Sequence, residues 1–214
     1  MYKIFVAIVI LLFINGCSTH TSQLNPNHTN KALFAQEDYY ILVALHAEEL
    51  HEYSSASKLF FILYEKTKRK EYIYRDLENA LLAKEYKNVI KKVDKLVADG
   101  EDDSNILRSR IFAYVQLHLV DKAKQFALEL LQSSQEDENY LLLSDILEIQ
   151  QNYKDALSYL NEGYKHNYND KIIQKITMIM YEKYSKKAQA IEMLERHTQI
   201  NSCFKSSCLL LALF

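Results

Sequence analysis

His46-Ala-Glu-Glu-Leu-His51 puts two histidines and two carboxylates within six residues, the side chains from which a hydrolytic zinc site is built. The spacing rejects that chemistry. Helical residues advance by about 100° each, so histidines five apart point about 140° away from one another, whereas a pair four apart shares a face. The adjacent acids Glu48-Glu49 and Asp102-Asp103 offer material for an acid/base dyad, but such pairs read as solvated faces or helix starts. With seven scattered histidines, three glycines and neither a C-x-x-C nor a G-x-S-x-G pattern, the chain supplies no activated nucleophile and no phosphate loop. Cys203 and Cys208 are candidates for a local disulfide in an oxidising compartment, although helical residues five apart face different sides. The lysine runs Lys66 to Lys70 and Lys91-Lys92 are balanced by nearby acids and are expected to face water. These residues predict a non-enzyme with no metal and no cofactor.

The elements that carry them are helical. In 214 residues there are 3 Gly and 1 Pro, where an average composition supplies about 15 and about 11. Sandwiches and barrels need turn residues every 8–12 positions or so, and this chain lacks them. Hydrophobic residues make up 49% and charged residues 25%, enough to bury a core. A net charge of −2 leaves no basic excess to release counterions from phosphates, so nucleic acid is excluded as a partner.

The chain opens with a single positive charge at Lys3, followed by eleven residues, Ile4 to Ile14, without a polar side chain. As a helix they would span roughly 16 Å at ~1.5 Å per residue, about half a hydrocarbon core, which favours a signal-peptide segment over a membrane span. Asn15-Gly16-Cys17 follows, and a small residue before a cysteine resembles the lipobox of bacterial lipoproteins, with Asn15 as the departure. That resemblance implies cleavage after residue 16, a diacylglycerol on the Cys17 sulfur, acylation of the new amino terminus, and anchorage without a spanning helix. Ser18, in place of an aspartate, resembles the outer-membrane sorting class, facing the periplasm. Ser18 to Asn30 is polar and nearly uncharged, so residues 17–36 are expected to form a lipidated, flexible tether.

Beyond the tether the sequence repeats. Ala56, Val89, Ala123, Ala156 and Ala190 recur at separations of 33, 34, 33 and 34. Tyr53, Tyr86, Val120, Tyr153 and Lys187 stand three residues earlier. Phe60, Val93, Ala127, Leu160 and Leu194 stand four later, and Leu63, Leu96, Leu130, Gly163 and His197 seven later. An upstream stripe runs through Tyr40, Ile73, Leu107, Tyr140 and Gln174, then Ala44, Leu77, Ile111, Ser144 and Met178, then Ala47, Ala80, Tyr114, Leu147 and Tyr181. Offsets of three and four are one face of a 3.6-residue helix, so each unit is two helices and a turn. Small residues at 44, 47 and 56 fit a close crossing, and the segments 98–104, 133–137 and 166–170 carry N-capping Asp, Ser and Asn.

The pattern resembles the tetratricopeptide repeat, most clearly in Tyr153-x-x-Ala156 with Leu160 and Tyr53-x-x-Ala56 with Phe60. The Leu-Gly step of the first helix and the proline ending each unit are missing. The resemblance implies an all-α, right-handed solenoid of about five repeats over residues 37–203 whose inner wall is made of the first helices. Expected wall residues are Ile41, Leu45 and Glu48; Tyr74, Glu78 and Leu81; Arg108, Phe112 and Val115; Leu141, Asp145 and Glu148; Lys175, Ile179 and Glu182. Tyr74 and Phe112 are the candidate anchors for a protein segment in the groove. With only Arg108 and Lys175 on this wall, the basic clamp by which some such proteins grip a terminal carboxylate is not expected. A register displaced by one position, which would send half of these side chains to the core, stays open.

Residues 204–214 fall where a sixth repeat, truncated or capping, would begin, and Cys208 to Phe214 are seven consecutive nonpolar residues. Such an apolar end is expected to meet a partner or a second copy, or to continue a longer array. Anchor plus repeats is similar in layout to pilotin lipoproteins, to the helical-repeat lipoprotein of the outer-membrane barrel-assembly machine and to flagellar-motor scaffold lipoproteins. The function expected is a non-catalytic scaffold or assembly factor holding envelope proteins. The alternatives are an accessory subunit of a cell-envelope enzyme, or a soluble adaptor if Cys17 carries no lipid.

Overall fold

The computed structural model describes residues 26–201, with side chains from 36 to 199. The expected leader 1–16, Cys17, the first part of the tether, Cys203 with Cys208, and the apolar segment 204–214 lie outside the described residues. Among the described residues there are ten α-helices and no strand: α1 Pro26–Glu49, α2 Tyr53–Thr67, α3 Lys70–Leu82, α4 Tyr86–Ala98, α5 Ser104–Gln116, α6 Val120–Ser133, α7 Asp137–Ile149, α8 Tyr153–Asn167, α9 Asp170–Tyr184 and α10 Lys187–Asn201. They pair in sequence as five hairpins. Residues 26–36, expected as part of the tether, are instead helical: α1 starts at Pro26, whose fixed φ and missing N–H suit the first helical turn.

Four hairpin turns are built alike. His51, Lys84, His118 and Gln151 take left-handed backbone with φ of 58–60°. The next N–H then reaches back to a carbonyl five residues earlier, Glu52 to Ala47, Glu85 to Ala80, Leu119 to Tyr114 and Asn152 to Leu147, at 2.8–2.9 Å. This closes the helix end as a Schellman motif without glycine. In the fifth hairpin α9 runs further and the closing bond spans one residue more: Ser185 is left-handed, and the Lys186 N–H bonds Met180 six residues back at 3.0 Å. Between repeats, Asp103 caps α5 by accepting from the Asn105 and Ile106 amides, and Asn169 caps α9 by accepting from Lys171 and Ile172. Gly100, at φ +89°, makes the bend that leads into α5.

Ala56, Val89, Ala123, Ala156 and Ala190 are all fully buried, which is what close crossing of paired helices requires. The apolar core is in two parts. One gathers α1 to α4 and takes Ile106 and Ala113 from α5; the other gathers α6 to α10 and takes Ile111 from the same helix. In the second part Tyr140 is fully buried and fills the space left by Gly163, where a β-carbon would lie 2.7 Å from the Tyr140 ring. Glycine thus stands where other repeats carry Leu63, Leu96, Leu130 or His197, the last buried and bonded to the Tyr164 hydroxyl at 2.9 Å.

Candidate functional site

In each of the first four repeats the first helix presents three side chains, four and then three residues apart, along one wall. The outermost row is Leu45, Glu78, Phe112 and Asp145, all exposed. Flanking it are Ile41, Tyr74, Arg108 and Leu141 on one side and Glu48, Leu81, Val115 and Glu148 on the other, all half-buried. Between α3 and α5 the wall sinks into a notch of about 270 Å³, lined by Glu78, Leu81, Leu82, Tyr86, Phe112 and Gln116. Phe112 stands 46% exposed at its edge, an aromatic ring with no core to enter.

The fifth repeat departs from the expected register. Ile179 is buried at 2% exposure and belongs to the core, together with Ile172, Ile173 and Ile176. Met178 and Tyr181, expected on the apolar stripe, are exposed, and Gln174 is half-buried. The core of α9 therefore follows α7 by 33 residues, Tyr140 by Ile173, rather than by 34. The compensating residue lies at the end of α9, where the closing bond reaches six residues back instead of five. The wall continues through Gln174, Met178 and Tyr181, and Lys175, Ile179 and Glu182 leave the list of groove-facing residues.

Lys175 instead crosses to the preceding repeat, bonding Asp145 at 2.8 Å and Glu148 at 2.7 Å. Burial pulls its pKa down, but the hydrogen bonds it donates to both carboxylates outweigh that and hold it above the ordinary lysine value. At the other end of the wall Arg75 makes a close ion pair with Glu48 and reaches Glu78 at 3.4 Å, and the Asn79 amide also donates to Glu48. Each cation sits among two acids. Arg108 is held at Glu136 and at the Ser104 carbonyl and is 14% exposed, so it has little reach for a ligand carboxylate. The Tyr74 hydroxyl donates to Asp103 at 3.0 Å, tying α3 to the cap of α5; burial and that bond raise the phenol pKa.

Glu136, which joins Ser134, Ser104 and Arg108, has its pKa lowered by the hydroxyl hydrogen bonds first and the guanidinium second. Glu85 is lowered in the same way by Ser54 and Asn88. Both are joints between neighbouring repeats.

One buried cluster was not foreseen. Asp76 is fully buried in α3, accepts from the Ser57 hydroxyl at 2.6 Å, and receives both of its Lys92 contacts at 2.7 and 2.5 Å. Lys92, placed in a solvated run by its sequence, is only 15% exposed. Burial raises the Asp76 pKa in spite of the ammonium beside it. The nearby Arg110 lies over the Phe126 ring at 4.0 Å and pairs with Asp94 at 3.0 Å. The signal was a charge at a helix position that is Val43, Leu143 and Ile176 in other repeats.

Among the described residues no group of three or more His, Cys, Asp or Glu is arranged to hold a metal ion. His51 lies beyond the end of α1, in the left-handed turn, with its ring bonded to the Tyr53 hydroxyl at 2.8 Å, while His46 is on the helix. No described helix is long and apolar enough to cross a membrane.

Against solved structures, the chain resembles TTC0263, a thermophilic TPR protein of Thermus thermophilus. The TM-score is 0.59 at 13% identity, over 82% of this chain and 97% of that one. It is also similar to YrrB, described as a TPR protein with an unusual peptide-binding site, with TM-score 0.51 and 15% identity over 87% and 97%. A third, MamA AMB-1, matches with TM-score 0.50 and 14% identity over 82% and 97%. These likenesses establish the fold, a tetratricopeptide-type array of helical hairpins. No protein-family model matches the sequence, and no curated protein matches it significantly.

Proposed function

We propose that this chain is a non-catalytic scaffold that holds a segment of another protein against the wall formed by its first helices. The observation that carries the proposal is the notch between α3 and α5, where Leu81, Leu82, Tyr86 and Phe112 present apolar surface to solvent at the middle of a continuous row. Apolar and aromatic groups in such a depression are the anchors from which interfaces draw most of their energy. The likeness to YrrB, whose description names a peptide-binding site, supports the same direction.

The location belongs to the proposal as well. Cys17 carries a lipid, the body stands off the periplasmic face of a bacterial outer membrane, and its partners are envelope proteins of a pilus, flagellar or outer-membrane assembly. The leader pattern Ile4 to Cys17 supports this. Growth of producing cells with radioactive palmitate labels the wild-type chain and not Cys17→Ser; an unlabelled wild type refutes the anchor. For the wall, capture of partners on the full chain is compared with capture on Phe112→Ala. A loss of about 2–4 kcal/mol in binding of the recovered partner is expected for a central aromatic anchor. Undiminished binding moves the interface off this face.

A further inference from the structure

Read across the array, the outermost row of the wall alternates in character: Leu45, Glu78, Phe112, Asp145, then Met178. All five side chains are exposed. The two acidic steps are also the two places where the wall carries a surplus charge. Around Arg75 stand Glu48 and Glu78, and around Lys175 stand Asp145 and Glu148. Two carboxylates share one cation in each cluster, so each leaves a net charge of −1 facing the groove. Between the clusters the notch at Phe112 is apolar.

α3 and α5 pack directly against each other at the notch; helices so packed lie roughly 8–10 Å apart, and an extended chain advances ~3.3 Å per residue. Across that central contact about three residues of an extended ligand lead from one first helix to the next. We infer that the wall selects an extended protein segment in which lysine or arginine alternates with bulky apolar residues at about every third position. Its cations complete the two half-neutralised acid clusters, and its apolar side chains meet Leu45, the Phe112 notch and Met178. An acidic segment is repelled at both clusters, because Arg75 and Lys175 are each already shared between two carboxylates. This rests on the wall being the binding face and adds the chemistry of what binds there.

The test uses the full chain and two fluorescein-labelled synthetic peptides, Leu-Ser-Ser-Lys-Ser-Ser-Leu-Ser-Ser-Lys-Ser-Ser-Leu and its counterpart with both lysines replaced by glutamates. Fluorescence anisotropy at low ionic strength is expected to show at least tenfold tighter binding of the lysine peptide, a preference that shrinks as salt is added. The doubly reversed chain, Glu78→Lys with Asp145→Lys, is expected to prefer the glutamate peptide. The milder pair Glu78→Gln with Asp145→Asn, with unchanged helical circular dichroism, should reduce the lysine preference at least threefold and guards against misfolding of the reversed chain. Equal affinities for both peptides overturn the charge selection, and leave the groove standing if Phe112→Ala weakens both alike. No binding of either peptide also overturns it, and the Phe112-dependent capture then decides the groove separately.

Discussion

Asp76 in α3 and Leu143 in α7 occupy the same place in their helices, yet one is held by Ser57 and Lys92 and the other by apolar neighbours. Around Leu143 the carboxy-terminal part of the core is Leu, Ile and Ala against Tyr140, and the buried polar side chains of that part, Asn139, Ser144, Thr177 and His197, include no carboxylate. Around Asp76 the amino-terminal part admits an ion pair, and Arg110 extends that habit to its border. The backbone is nonetheless the same hairpin in both. What the repeat demands is a small residue at the crossing and a left-handed turn; the remaining core can be apolar or ionic so long as polar atoms find partners.

The largest expected effect falls on the apolar half. Tyr140→Ala should cost about 3–5 kcal/mol, the usual loss for a large buried aromatic, read as a shift in urea midpoint at constant slope. A cost under about 1 kcal/mol would mean that half is not tightly packed. In the ionic half, Lys92→Met leaves a buried carboxylate without its cation and should cost about 3 kcal/mol at neutral pH. The double change Asp76→Leu with Lys92→Met should recover most of it, because an apolar pair of similar volume replaces two desolvated charges. Failure to recover would show that the ion pair contributes more than it costs to bury.

Gly163→Ala comes next, at about 1–3 kcal/mol of destabilisation, since the new methyl meets the Tyr140 ring. In a Tyr140→Ala background the same substitution should change sign and stabilise by about 0.5–1 kcal/mol, the ordinary helix preference of alanine over glycine. Persistence of the penalty there would place the conflict elsewhere.

The halves should also differ in pH response. Asp76 has a raised folded pKa, so its contribution is fully present below the unfolded carboxylate value and is lost as pH rises through the folded one. Glu136, at the start of the carboxy-terminal part, has a lowered pKa, so its contribution is present above the unfolded value and is lost as pH falls. Relative to wild type, Asp76→Asn should therefore gain stability as pH climbs from about 4 to 7, whereas Glu136→Gln should lose it, in parallel urea titrations. The smallest effect tests what the halves share. Lys84→Gly and Gln151→Gly each remove a side chain from left-handed backbone and should each stabilise by about 0.5–1 kcal/mol. Unequal gains would show that the turns differ too.

Much of this was legible beforehand because crossings constrain residue size. The series from Ala56 to Ala190 is read from size alone, and all five are buried. The fifth first helix was misplaced because its position was counted from Ala190 backward across a helix end that is one residue longer than in the other repeats, and nothing in the composition around Ser185 marks it. Aligning α9 by its own apolar residues, Ile172, Ile173 and Ile176 on Asn139, Tyr140 and Leu143, would have shown the shift. Asp76 and Lys92 were missed for a different reason: sixteen residues separate them, and a lysine run looks the same whether one of its members points inward or not. The acid clusters at Arg75 and Lys175 likewise depend on neighbouring repeats, which no single helix pattern reveals.

The division of helix α5 has a consequence for anyone who would shorten or splice this array. A fragment ending at Gln116 carries Ile111 away from the residues that cover it, and a fragment beginning at Ser104 bares Ile106 and Ala113. Neither half can be excised clean at that seam: a cut piece stays dispersed only after the orphaned positions are rewritten as polar, so modular grafting here requires resurfacing as well as scissors.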